Sequence, residues 1–515
     1  MTEMRSRYKR ENSPEASDYS SGRLWILFLC GLLHPWLILG QPTDRPSVVL
    51  TGVLTRKDHE TYRMLPFTVP PGTNRVTVDF SYTGRDQHST LDIGIYDPRG
   101  FRGWRGGNKS SFTISRSDAT PSYVAGPITP GTWKLVIGVP NIRAGVHSEY
   151  KANIWFESEV QSAQHNAFSK AFSKALRDGP AWYRGDLHMH TAHSDGSCKS
   201  QAGRSVPCPL FKTLEVASAR GLDFIAVTDH NTTSHFDAER ELAAYFDRLL
   251  LLHGREITTF QGHLNMYGID QFVDFRVSSP EVPDMNALLR QAQRLGSLVS
   301  INHPNAPSGE ECMGCGWTPH PETDLRRVTA VEAVNSFSTG NYSGIPFWES
   351  QLNRGYHLTA IAGSDSHNPD NPLPGPGAVG SPSTVVNATE LSEAAILEAI
   401  RSGQVFIDVE GSHDRLLEFT ASTGSEKAAM GGTLHPVSGM EVRFSVHVVR
   451  IPDGQIQIIE DGKPLSRENP SILGSQDEMK SFAIQSDGQR HWVRVEVHSA
   501  DGKVLLVGNP IYINF

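Results

Sequence analysis

Nine histidine, aspartate and glutamate residues recur through the middle of the sequence in short polar motifs, and they are the residue types that hold divalent cations. His188-Met-His190 comes first; residues two apart on an extended strand point to one face, so both imidazoles can reach one ion. Asp195 follows in His-Ser-Asp-Gly, and His230 in Thr-Asp-His. Glu256 stands in Gly-Arg-Glu, His263 in Gly-His and His303 in Asn-His-Pro. Asp365 and His367 close the series in Gly-Ser-Asp-Ser-His. Imidazoles suit zinc, iron or manganese, and a carboxylate can bridge two cations. The chemistry expected of this set is hydrolysis by a metal-bridging hydroxide, since a bound cation lowers the pKa of water from about 15.7 to about 7. Glu256, Asp365 and His367 are the positions expected to be catalytic as well as metal-binding.

The elements that must position these residues are legible in the hydrophobic pattern. Apolar runs at 224–227, 249–252, 298–301 and 359–362 read as strands, and most of the nine residues lie at or just beyond the end of one. Helix-like segments at 210–220 and 285–295 alternate with them, which implies parallel strands joined by crossover helices. The carboxyl ends of such strands are where active sites are built. His193, His235, His253 and His357 lack that placement and read as structural or surface histidines. Asp229 fits either a ligand or a partner that orients a histidine. By their order near the same ends, Asn335, Trp348 and Arg354 are candidates for facing substrate. The Pro- and Gly-rich loop 368–380 follows His367 and either walls the cleft or merely connects.

The ordered motifs H-x-H, SDG, TDH-N-T, G-x-E, GH, NHP and GSDSH resemble the PHP (polymerase and histidinol phosphatase) family of metal-dependent hydrolases. "GLDFIAVTDHNT", "GHLNMYGI", "INHP" and "AIAGSDSH" are similar to its CehA/McbA-type branch. The resemblance covers residues 182–408. It implies an α/β fold, a distorted (β/α)7 barrel, and a cluster of two or three zinc, manganese or iron ions. It further implies that His188, His190, Glu256 and Asp365 hold one ion. Glu256, His263 and His303 would hold a second, and Asp195, His230 and His367 a third. The activity implied is hydrolysis of a small-molecule ester, a phosphoester first, with carbamate or carboxyl ester cleavage as the alternative. An amidohydrolase would normally use a carboxylated lysine where this order has a glutamate. A metal-stabilised module that binds without catalysis is the contrasting class.

The flanks read differently. Residues 45–157 carry short alternating strands and Gly/Pro turns, the pattern of a β-sandwich, and residues 409–515 repeat that texture with four Asp-Gly turns. Residues 158–181 read as a linker, helical over 157–177. Basic residues precede an apolar stretch inside residues 1–44, which reads as a signal peptide or, alternatively, an uncleaved membrane anchor. Four cysteines beyond it form two close pairs, Cys198 with Cys208 and Cys312 with Cys315. In an exported chain these favour disulfides, with free thiols or a zinc site as alternatives. The net charge of −9 without a basic cluster excludes general nucleic-acid binding. A periplasmic or extracellular location follows, with a membrane tether if the anchor is retained.

Overall fold

Alternation of buried and outward side chains builds the first part of the chain. In Arg75–Tyr82, Val76, Val78 and Phe80 point inward while Arg75, Thr77 and Asp79 lie between them at the surface side. Strands of this kind form two four-stranded antiparallel sheets. One runs in the order Val48–Leu54, Ser148–Glu157, Arg75–Tyr82, Ser111–Ser115. The other runs Tyr62–Val69, Gly131–Asn141, Thr90–Asp97, Gly100–Arg105. Their inner faces share one apolar core that includes Trp133, Leu135, Ile137 and Ile154. The computed structural model describes residues 45–106, 110–115, 119–120, 122–157, 175–269, 271–336, 343–465 and 471–515. The expected signal or anchor, and residues 158–174 of the expected linker, lie outside them. The end of that linker is strand, not helix, because Arg177 already pairs with Leu391. Among the described residues no helix is long and apolar enough to cross a membrane.

The middle segment consists of β1 (Arg177–Asp186), α1 (Leu210–Ala219), β2 (Phe224–Ala226), α2 (His235–Leu242), β3 (Leu250–Leu252), β4 (Gly254–Thr259), β5 (Gly262–Tyr267), α3 (Met285–Leu295) and β6 (Leu298–Ile301). It continues with β7 (Ala330–Asn335), α4 (Ile345–Asn353), β8 (Thr359–Gly363), β9 (Ser383–Leu391), α5 (Glu393–Arg401) and β10 (Val405–Asp408). One sheet runs β3-β2-β1-β9-β10 and continues through Val504–Gly508 and His491–His498 into the last part of the chain. A second runs β4-β5-β6-β7-β8. Short parallel bridges, Met189 to Ser366 and His230 to Glu256, tie the two sheets together where the polar motifs lie.

The backbone hydrogen bonds do not form the expected (β/α)7 barrel. The chain is mostly β with few helices, and two features break the β/α alternation. β4 and β5 are joined by a tight hairpin instead of a crossover helix, so β5 runs antiparallel to both its neighbours. The turn uses Gly262 at φ 143°, where an added Cβ would lie 2.5 Å from the Trp317 ring. β9 likewise returns antiparallel onto β1.

Where the alternation holds, local chemistry explains it. Asp284 caps α3 by accepting from the Ala287 N–H at 2.7 Å, and Gly296 ends it in the left-handed region at φ 75°. Between the caps, Met285, Leu288, Leu289 and Ala292 recur at helical spacing and are fully buried. Each large side chain contributes about 1.5–3 kcal/mol by leaving water. β6 follows directly, buried on both faces, and delivers Asn302 and His303 at its end.

Candidate metal centre

The β4–β5 hairpin sets the register of the site. Glu256 faces Asn265 and Thr258 faces His263, so these four side chains share one face of the pair. Glu256 thereby stands at the middle of the histidines. Its carboxylate oxygens lie 2.9 Å from His230 Nδ1, 3.3 Å from His263 Nδ1, 3.4 Å from His188 Nε2, 3.5 Å from His303 Nε2 and 3.6 Å from His190 Nε2.

A second ladder joins the two ends of the motif series. The Asp365 N–H donates to the His188 carbonyl and the His190 N–H to the Ser366 carbonyl, each at 2.8 Å. Met189, between the two histidines, turns the other way into an apolar cluster with Val227 and Leu214. Asp365 Oδ1 then lies 3.4 Å from His188 Nε2 and 3.1 Å from His190 Nε2. Gly363 makes this approach possible, since a Cβ there would sit 2.3 Å from the His188 Cβ. Asp195 completes the set, 3.4 Å from His367 Nε2 and 3.6 Å from His230 Nε2. The structure thus brings all nine predicted residues into one constellation.

Among the described residues, three groupings drawn wholly from the nine have ligand atoms within 4.8 Å of one another: His188, His190 and Glu256; His188, His303 and Asp365; and His190, Asp195, His230 and His367. The first is sealed from water. The last opens outward, because the His367 side chain is 42 % exposed and Asp195 29 %, against 0 % for His188 and His190.

The electrostatics and the unmet hydrogen bonds fit cations. Burial opposes charge on Glu256, Asp195 and Asp365, yet the facing imidazoles hold all three carboxyls well below their usual range. Burial also disfavours charge on His188 and His230, but the carboxylates outweigh it and raise both well above normal. His367, despite its burial, is raised to about 9 by Asp195. His190 is lowered to about 4 by burial and by the adjacent His367 and His230. Imidazoles and carboxylates here favour one another's charged forms, and divalent ions can supply the same positive charge to the carboxylates. Four buried ligand atoms make no well-aligned hydrogen bond: His188 Nε2, Glu256 Oε2, His263 Nε2 and His303 Nδ1, although Glu256 Oε2 lies 2.9 Å from His230 Nδ1. Such atoms are rare in folded proteins, and a coordinated ion would account for them.

A supporting layer holds the ligands. Glu332 on β7 accepts from His188 Nδ1 at 2.9 Å, from the His303 N–H at 3.0 Å and from Asn335 Nδ2 at 2.9 Å. Asn302 donates to Glu256 at 2.9 Å, and Thr258 Oγ1 lies 2.6 Å from His230 Nδ1. Asp186 accepts from the backbone N–H groups of His188, Ser364 and Gly380. Asp229 is such a partner and not a contact of the ring itself: it accepts from Thr191 and from Ser194, whose hydroxyl lies 3.5 Å from His190 Nδ1. Cys198 and Cys208 form a disulfide that staples the short hairpin after Asp195, and Cys312 and Cys315 form the other.

Glu332 escaped the sequence reading, though a lone carboxylate in the apolar strand Ala-Val-Glu-Ala-Val is a signal that its charge must be partnered. Of the substrate candidates, Asn335 is at the site, 3.4 Å from Asp365. Trp348 is a correction: it is fully buried and its indole donates to the Leu358 carbonyl, because Trp348, Gln351 and Leu352 form the inward face of α4. Arg354 ends that helix, paired with Glu322 at 2.5 Å and bonded to Gln351. Of the set-aside histidines, His235 is bonded to the Gly254 carbonyl, His253 pairs with Glu393 and His357 stacks on Tyr512. The loop 368–380 is pinned by Arg220, which donates to the Asn371 and Val379 carbonyls at 2.6 Å.

Residues 351–405 match the PHP-associated family. The matched segment contains Asp365, His367 and the strands on either side of them. A search of curated proteins returned no match. Among solved structures, this chain is similar to a two-domain protein containing a predicted PHP-like metal-dependent phosphoesterase from Bacteroides vulgatus ATCC 8482. The two share 20 % identity, over 68 % of this chain and 99 % of that one, with a TM-score of 0.36.

Proposed function

We propose that this chain is an exported metal-dependent hydrolase of the PHP type, of its CehA/McbA-like branch, acting on phosphoester bonds of a small molecule. The observation that carries this reading is the convergence of nine ligand-type side chains from separate strand ends around buried, unpartnered ligand atoms. In this reading two or three zinc, manganese or iron ions occupy the centre. His188, His190, Glu256 and Asp365 hold the first, Glu256, His263 and His303 the second, and Asp195, His230 and His367 the third. Bound there, the ions would activate water and neutralise charge on the transferring group.

The side chains divide the remaining work. His188 and His190, shut from water, fix the inner part of the centre, while Asp195 and His367 face the mouth where an anionic ester enters. Asn335 keeps the Asp365 carboxylate in place with an amide donor, and Glu332 and Asp186 hold the strand ends. The two disulfides fit an oxidising, exported setting. The segments 45–157 and 409–515 serve in this proposal as flanking sandwich modules, and residues 182–408 as the hydrolase.

Elemental analysis with a panel of chromogenic phosphodiester, phosphomonoester, carbamate and carboxyl esters tests the proposal. Two or three metals per chain with phosphodiester turnover are expected, and His188→Ala should lose both metal and turnover. Preference for a carbamate or carboxyl ester would replace the substrate class. A folded, metal-loaded protein inactive on the whole panel would leave only a binding role.

A further inference from the structure

A fourth grouping of ligand atoms joins two of the nine, His263 and His303, to a residue outside them, Cys315. One ring nitrogen each of His263 and His303 and the Sγ of Cys315 lie within 4.8 Å of one another, all three residues being buried. His263 Nε2 and His303 Nδ1 are also among the buried atoms that lack a hydrogen-bond partner. The loop bearing Cys315 is held firmly against both histidine-bearing elements. The Trp317 N–H donates to the Pro304 carbonyl at 2.9 Å and the Thr318 N–H to the Gln261 carbonyl at 2.8 Å. Gly314, at φ 83°, packs so closely on the β4–β5 turn that a Cβ would lie 2.4 Å from the Thr259 carbonyl oxygen.

We propose that Cys315 is a redox-gated ligand for the metal held by His263 and His303. The inference rests on the metal reading above and concerns the other ring nitrogens of these two imidazoles, since His263 Nδ1 and His303 Nε2 face Glu256. In the observed state Cys315 is bonded to Cys312, and a disulfide sulfur carries no charge to offer a cation. A dithiol reductant breaks that S–S bond by supplying two electrons and two protons, leaving two thiols and its own disulfide. Cys315 would then give up its proton to solvent and could hold the ion as a thiolate. Reoxidation forms the S–S bond again and withdraws the ligand. The consequence is a change in metal preference: nitrogen and oxygen donors alone accommodate manganese, whereas an added thiolate favours zinc or iron.

Cobalt(II) titrated into the full chain is the test, with a phosphine reductant because it does not chelate the metal. Visible ligand-field bands report bound cobalt, and a near-ultraviolet sulfur-to-cobalt charge-transfer band reports a thiolate ligand. Reduced wild type should show both, and the oxidised protein the visible bands alone. Cys315→Ser should lose the charge-transfer band under reduction while keeping the visible ones, and Cys312→Ser should show it without reductant. Visible bands with no charge-transfer band in reduced wild type would overturn the ligand and leave the metal centre standing. A charge-transfer band that survives Cys315→Ser would overturn it by placing the sulfur elsewhere. No cobalt bands in any form would defeat this inference and the metal centre together.

Discussion

Replacement of Glu332 by glutamine changes one atom and tests how the centre is oriented. The carboxylate spans two ligands: Oε1 meets His188 Nδ1, and Oε2 accepts from the His303 N–H and from Asn335. Accepting at Nδ1 dictates the His188 tautomer whose Nε2 lone pair faces Glu256 and Asp365. Glutamine has one acceptor and one donor end, and neither orientation satisfies both sides. With its amide nitrogen toward His188, Nδ1 must accept and Nε2 must carry the proton, so the ligand is lost. With its nitrogen toward His303, two donor groups are left facing a third. Partners of this kind are worth 10–100-fold in metal affinity, or about 1.4–2.7 kcal/mol. Glu332→Gln should therefore raise the Kd for zinc in a competition assay with a chromophoric chelator by that factor, and lower kcat/KM at subsaturating metal in parallel. Excess metal should restore most of the activity if the variant still folds. Wild-type affinity in Glu332→Gln would refute the orienting role and the tautomer it imposes.

Gly363→Ala places a methyl group 2.3 Å from the His188 Cβ and 2.7 Å from Glu332 Oε1, with no solvent side to yield toward. It should cost about 1–3 kcal/mol as overpacking, read as a lowered Tm, and reduce metal content by elemental analysis. Glu239 is buried with both carboxylate oxygens unpartnered, and burial, then Asp229 and Glu393, raise its pKa well above normal against the weaker pull of Arg240. The folded state thus keeps a proton that the unfolded chain releases near its ordinary value of 4.5, so stability falls as pH rises from there toward the folded value, by up to about 1.4 kcal/mol per unit. Glu239→Gln should remove that slope and raise the Tm at neutral pH; an unchanged Tm–pH curve would show the group is not buried neutral. Serine at both Cys198 and Cys208 opens a loop of sequence separation 10 and should cost about 3 kcal/mol by the loop-entropy estimate. Loss of metal from the outer set should accompany it, because the stapled hairpin backs Asp195.

The parts of the fold legible in the sequence were those fixed by local chemistry. α3 announces itself through Asp284, four apolar residues at helical spacing and Gly296, and β6 through its unbroken apolar run. Flanking strands such as Arg75–Tyr82 and Glu441–Val449 were equally plain, since apolar and outward side chains alternate along them. What could not be read was pairing. The run 249–252 gives no sign that the chain kinks at His253 into a separate strand, or that the next turn is a hairpin that reverses β5. Chain order alone placed Trp348 near the site. Its position on the face of α4 shared with Gln351 and Leu352 turned it into the core. Cys315 was readable as half of a C-x-x-C pair, but its neighbours His263 and His303 are distant in sequence and only the folded loop brings them together.

The nine ligand-type residues were legible for a different reason: their chemistry is too costly to bury without a purpose. Each carboxylate or imidazole in such a place must be partnered, so an ordered series of them beside apolar runs is a statement about a shared partner. The backbone carries the same mark. Asn231, His303 and Asp365, each in or next to a site motif, adopt φ of 51°, 26° and 50°, a left-handed conformation that side chains with a Cβ rarely take. Strain of this kind persists where surrounding structure over-determines it. Here the clamps are visible: Asn231 donates to the Thr258 carbonyl, the His303 N–H to Glu332, and the Asp365 N–H to the His188 carbonyl. The fold thus spends stability to aim ligands at a point, and the proposed metal binding is the interaction that would offset it. The centre should accordingly be the part of the molecule whose hydrogen-exchange protection rises most when metal is added, with the sandwich strands of residues 45–157 unchanged. Equal protection everywhere would mean that the strained positions are held without the metal's help.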